Sequence, residues 1–229
     1  MNKFLKWLDN FWYHYKWHTI IGVFAAVFLI VGVGQMLGKE KVDAYIMYAG
    51  PTAFFPDELE QIQDSFESIV PDFNNDGKKV VEFIDITVLT DNQIAENRKK
   101  AQEEGVKYEP DMEYIMDMRK KFKLHIQSGD AYLLLLDPEM YDMDKDVGIY
   151  RKLSDIGIES EYAFDDNSIV FKQTDFGKYF SVFKEFPDDT LMCFRTMNIP
   201  SKIRGDKEQK KYNEQLELMK KILEFSTAE

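Results

Sequence analysis

The sequence predicts an α/β protein: a small, mostly parallel sheet with helices on both faces, preceded by a single transmembrane helix. Three observations predict it. Residues 19–37 hold no charged side chain, in a chain that is otherwise 31% charged. Three strand-length runs, "VDAYIMYAG", "VVEFIDITVL" and "AYLLLLDP", are apolar or β-branched with little alternation, as strands covered on both faces should be. Amphipathic segments of helical period lie between those runs.

The apolar run comes first. At about 1.5 Å per residue, residues 19–37 span roughly 28 Å as a helix, close to the hydrocarbon thickness of a bilayer. Signal peptides have shorter apolar regions, of about 7–15 residues, and a small-x-small cleavage site. Here the run is longer, and Gly32 and Gly34 make only a weak match to such a site, so a retained anchor is the expectation. Trp12, Tyr13, Tyr15 and Trp17 stand just before the span, where amphipathic rings favour the headgroup layer. Phe4, Leu5, Leu8, Phe11, Trp12 and Tyr15 recur at helical spacing. Residues 1–18 therefore read as an amphipathic segment lying along the inner membrane surface before the chain turns in. His14 and His18 stand four apart, a spacing that can hold a metal. Tyr15 occupies the place of the HExxH glutamate and no third ligand is near, so they read as interfacial side chains. Lys3, Lys6 and Lys16 precede the span and Lys39 and Lys41 follow it. That bias places the amino terminus in the cytoplasm and residues 38–229 outside the cell membrane.

The outer segment is strongly acidic. From residue 39 onward there are 26 basic and 40 acidic residues, a balance of −14. Such a domain repels phosphate backbones, which argues against nucleic acid as a partner. The chain has one cysteine, Cys193, so it forms no internal disulfide. Its setting in "TLMCFRT" predicts a buried, inert thiol.

Within this domain, residues 42–51 predict a buried strand ending at a Gly-Pro break. A helix follows, with Leu59, Ile62, Phe66, Ile69 and Val70 on its apolar side, Pro56 in its first turn, and Asp57 and Glu58 against its positive end. Residues 80–89 predict the second strand, and "DNQIAENRKKAQEEG" a polar, exposed helix. A clear amphipathic helix carries Met112, Ile115, Met116, Phe122 and Ile126 and stops at Gly129. Residues 131–138 form the third strand. Right-handed crossovers place the first strand between the other two. After an irregular stretch, "SIVFKQT" fits a strand, Phe176, Tyr179, Phe180 and Phe183 fit a helix face, "TLMCFRTMN" fits a strand, and an amphipathic helix ends the chain.

In open α/β sheets, ligands gather beyond the carboxyl ends of the strands. That rule selects Tyr48, Gly50, Asp137 and Glu139 as a ligand-binding edge. The competing reading is a pair of ordinary strand-to-helix turns, with Asp137 capping the next helix. "DFNNDG" places Asp72, Asn74 and Asp76 at alternate positions before Gly77, as a calcium loop does. Lys79 and Phe83 then break the pattern, leaving a hydrated turn or a Ca2+ turn of another kind. Signals for catalysis are weak. His125, the only histidine of the outer domain, sits near a helix end. There is no nucleophile elbow, no Gly-rich phosphate loop and no Cys/His metal spacing. "RGD" at 204–206 is read as coincidence. The expectation is a non-catalytic domain without a cofactor, binding a small-molecule ligand or an envelope protein partner. A structural subunit of a membrane complex is the alternative, and a carboxylate-based hydrolase a lesser one.

"DAYIMYAGP" with "FPDELEQIQDSFESIVP", then "VVEFIDITV", then "SGDAYLLLLDPEMY" and "YRKLSDIG", resembles the first lobe of type 2 periplasmic-like solute-binding proteins. The likeness covers roughly residues 42–158. It implies a first strand ending in a ligand-contacting loop. Whole binding proteins have two lobes, whereas this domain has room for one, which implies a sensing or docking module. The aromatic "WYHYKWHT" patch is similar to that of small single-span proteins of Gram-positive anaerobes.

Overall fold

In the computed structural model, residues 3–37, 41–197 and 203–226 are described. The chain divides into two units, residues 1–41 and residues 42–229.

The first unit is a single helix, α1 (Lys3–Leu37), unbroken from the aromatic segment through the apolar run. The turn expected between an interfacial stretch and a span is therefore not present. The reason is visible in the sequence: neither Gly nor Pro interrupts residues 3–21, so nothing stops the helix there. Trp7, Phe11 and Tyr15 stack one turn apart, with centroids 5.6 and 5.3 Å from one another, and Tyr15 meets His18 edge-on. Among the described residues α1 is the one helix long and apolar enough to cross a membrane. Residues 38–40, where the expected boundary falls, lie outside the described residues.

The second unit is an α/β domain. Its strands are β1 (Ala44–Gly50), β2 (Val81–Thr87), β3 (Leu133–Leu136), β4 (Ser168–Val170) and β5 (Leu191–Phe194), in the order β2-β1-β3-β5-β4. The first strand lies between the second and third, and both of its pairings are parallel. The sheet is mixed, however: β5 runs against both β3 and β4, so "mostly parallel" needs correction. The four residues of β5, "LMCF", are buried on both faces, and such a strand reads the same in either direction.

Side chains alternate across the sheet into two apolar layers. Ile46, Tyr48, Leu133, Leu135, Met192 and Phe194 face one side. There they meet Ile62 and Phe66 of α2 (Pro56–Ile69) and Leu218, Met219 and Ile222 of the last helix. Met47, Ala49, Leu134, Leu136 and Cys193 face the other side. That layer is covered by Phe122 and Ile126 of α4 (Met112–Ser128) and by Met140 and Tyr141 of α5 (Pro138–Asp144). Helix α3 (Asp91–Glu103) buries only Ile94, in keeping with its polar sequence. The short α6 (Asp175–Tyr179) and flanking 3-10 turns carry the aromatic segment, and α7 (Asp206–Leu223) ends the domain. Among the described residues both clusters are built from position 44 onward, so the second unit holds its own core.

Buried polar side chains tie the elements together. Tyr132 donates its N–H to Gln215 Oε1 (2.6 Å) and its hydroxyl to Glu208 (2.7 Å), latching α7 onto the start of β3. Arg195 is buried with its guanidinium 4.7 Å from the Tyr132 ring, and it donates to the carbonyls of Ile126 and Ala131. A cation there complements the carbonyl end of α4. Ahead of β1, buried Asp43 accepts from the N–H groups of Phe73, Asn74 and Val80 and from the Asn74 amide. Replacing Asp43 by Ala removes the buried carboxylate that these donors share. The expected loss is roughly 3 kcal/mol of domain stability, read from urea unfolding of residues 42–229.

Candidate functional site

The residues expected to form a ligand edge do gather at the carboxyl ends of β1 and β3, but they are closed in. Tyr48 is 0% exposed. Phe54 and Phe186 meet its ring edge-on, at 5.1 and 5.2 Å, and Phe83 of β2 stacks at 6.5 Å. Phe186 belongs to the aromatic segment, whose Phe171, Phe176 and Phe183 fill the layer below. Lys172 holds this segment in place, donating to the Phe186 carbonyl (2.8 Å) and pairing with Asp188 at 2.6 Å. The Tyr48 hydroxyl accepts the Thr52 N–H at 3.2 Å. Burial, with smaller contributions from Asp137 and Asp85, pushes its pKa up to about 12, so it stays protonated.

Gly50 has a packing reason to be glycine. A Cβ there would stand 2.4 Å from the Tyr48 hydroxyl, and the ring cannot withdraw because Phe54 and Phe186 flank it. Asp137 is buried and caps α5, accepting the Glu139 N–H at 2.9 Å, while Gln93 Nε2 donates to its second oxygen at 2.8 Å. Gln93 also accepts the Thr90 N–H, so one amide joins the start of α3 to the end of β3. Burial raises the Asp137 pKa, offset in part by the bonds from Glu139 and Gln93. Glu139 is half-buried in the first turn of α5.

One titratable group at this end escapes sequence reasoning. Asp85 sits in β2 directly across from Tyr48. Strand alternation puts it on the same face as Phe83, toward the aromatic layer. Its Oδ1 is buried without a hydrogen-bond partner, and burial lifts its pKa to about 6, opposed by Lys121 and the Thr87 hydroxyl. The only signal in the sequence is a lone acid inside a β-branched run, "FIDIT".

The turn after α2 shows where the other candidates lie. Asp72 accepts the N–H groups of Asp76 (3.2 Å) and Gly77 (2.8 Å), and Asp76 accepts that of Lys78. Asn74 directs its amide N–H to Asp43 rather than toward Asp72 and Asp76. Among the described residues no three His, Cys, Asp or Glu side chains form a metal-binding group. His125 Nδ1 lies 2.8 Å from Asp130 at the end of α4. Ser128 donates to that same carboxylate, so these three do not form a serine–histidine–carboxylate relay. Cys193 is fully buried and burial raises its pKa, as an inert thiol requires. A groove of about 570 Å³ opens between Gly148, Arg151, Thr196, Met197, Gln209 and Tyr212. Its lining includes none of the expected site residues.

Two measurements follow from this geometry. Gly50→Ala should lower stability by about 1–3 kcal/mol through overpacking against Tyr48, read as a fall in the denaturant midpoint. Asp85→Asn should act in the opposite direction. The folded-state pKa is raised from 3.8 to about 6, so the folded protein binds this proton more tightly than the unfolded chain. Wild-type stability therefore falls as pH rises across that interval. Discounted for partial exposure, Asp85→Asn should gain about 1 kcal/mol at pH 8 and nothing below about pH 4, measured by unfolding at both.

No protein-family model, curated protein or solved structure matches the chain.

Proposed function

We propose that the chain is a non-catalytic, single-pass membrane protein whose α/β domain docks another protein of the cell envelope. The observation that carries this reading is the closure of the strand ends. Where a solute-binding lobe would offer a first-strand loop to its ligand, Phe54 and Phe186 cover Tyr48. Asp137 is engaged by Gln93 and by the start of α5. Such an end favours a partner that reads the outer surface over a small molecule that enters the sheet. The likeness to a solute-binding lobe is supported by the order of elements through β3 and by the central place of β1. The anchor is supported by the length and composition of α1. The lysines ahead of the apolar run favour a cytoplasmic amino terminus.

The reading makes separable predictions. Full-length protein should stay with the membrane pellet through alkaline carbonate extraction, and release into the supernatant would sink the anchor. Residues 42–229 should show no thermal shift with a panel of sugars, amino acids, short peptides and Ca²⁺. A saturable shift lost in Tyr48→Phe or Asp137→Asn would restore the small-ligand reading. One with Ca²⁺ lost in Asp76→Ala would establish a calcium turn.

A further inference from the structure

The outer face of α4 is unlike the rest of the domain surface. Of the eleven exposed large apolar side chains among the described residues from position 42 onward, four, Met112, Tyr114, Met116 and Leu124, belong to α4. Leu124, 55% exposed, lies opposite the buried Ile115, Phe122 and Ile126, and Met116, 59% exposed, lies about a quarter-turn round from them, on the flank that Lys120 and Lys123 share. The charges on this face are sorted along the helix. Glu113 and Asp117 occupy its first half, and Lys120 and Lys123 its second. Among the described residues none of these four forms an ion pair within 4 Å.

We propose that two copies of the chain pair through this face, with their α4 helices antiparallel about a two-fold axis at Lys120. A helix that is acidic in one half and basic in the other complements itself when reversed, as an isologous interface requires. Residues equally distant from Lys120 meet across the axis. Asp117 meets Lys123 of the second copy, and Met116 meets its Leu124. Met116 and Leu124 thereby cover each other, each Asp117 carboxylate gains a Lys123 cation, and Glu113 falls opposite the neutral Gln127. The two Lys120 side chains at the axis lie within a turn of both Asp117 carboxylates. Helix α4 has 17 residues and is about 26 Å long, so one face of it makes an interface at the small end of the range. Free domains therefore associate weakly. The pairing takes hold in the full chain, where a shared bilayer raises the effective concentration, and to that extent it rests on the anchor proposed above.

Cysteine cross-linking of the full-length protein in membranes tests this directly. Cys193 is fully buried, so the native chain supplies a silent background. Lys120→Cys puts a thiol on the axis. Asp57→Cys, on exposed α2 across the sheet, is the control. The expected result is a disulfide dimer from Lys120→Cys, several-fold more abundant than from Asp57→Cys. Adding Asp117→Lys should weaken pairing about tenfold, since two opposite-charge contacts become like-charge ones. Adding Lys123→Asp to that variant should restore it, which a merely destabilised domain would not do. Circular dichroism of residues 42–229 checks that each variant folds. Equal cross-linking at positions 120 and 57, or no rescue by the charge exchange, overturns the proposal. Carbonate extraction of the same membranes separates that outcome from failure of the anchor.

Discussion

The central strand pair is out of water on both faces, and most of the architecture answers to that. β1 and β3 contribute Ile46, Met47, Tyr48, Ala49 and four consecutive leucines, all buried. A pair of this kind cannot be an exposed hairpin. It needs an apolar layer above and another below, and therefore crossover connections that deposit helices on each side. α2 and α7 supply one layer and α4 and α5 the other. The polar groups at the strand ends are then met by side chains from distant parts of the chain. Gln215 and Glu208 reach Tyr132 from α7, and Asp43 gathers the donors of the turn before β2.

The same constraint shapes the strand ends. β4 and β5 are joined by an excursion of about twenty residues, rich in phenylalanine, that returns over Tyr48. Phe171, Phe176, Phe183 and Phe186 are each buried and in mutual ring contact. Aromatic side chains of this size contribute heavily to a core, and opening the excursion would expose several at once. The closed end is therefore part of the fold's stability. A carboxyl with its oxygen buried and unpartnered, Asp85, is tolerated beside it at some cost.

How much of this was legible in the sequence depends on which physical signal a residue carries. Strands β1, β2 and β3 and helices α2, α3 and α4 follow from periodicity and from their stops. The αL glycine at 129 and the Pro56 start of α2 fall where local chemistry puts them. The reversal of β5 was not legible, because a doubly buried strand carries no mark of direction. Nor was the covering of Tyr48, which brings position 186 against position 48, a contact no local pattern encodes. Asp137 illustrates the divide. Its helix cap was readable from the sequence, whereas its bond to Gln93 joins residues 44 apart.

All three tryptophans, Trp7, Trp12 and Trp17, lie in α1, and the α/β domain has tyrosine and phenylalanine only. The indole chromophore is therefore confined to one unit. Indole emission reports the surroundings of the helix alone, whether water, detergent or headgroups, whereas tyrosine absorbance and circular dichroism draw on both units, since Tyr13 and Tyr15 also lie in α1. Insertion of the helix can thus be followed in an unlabelled sample without a signal from the α/β domain.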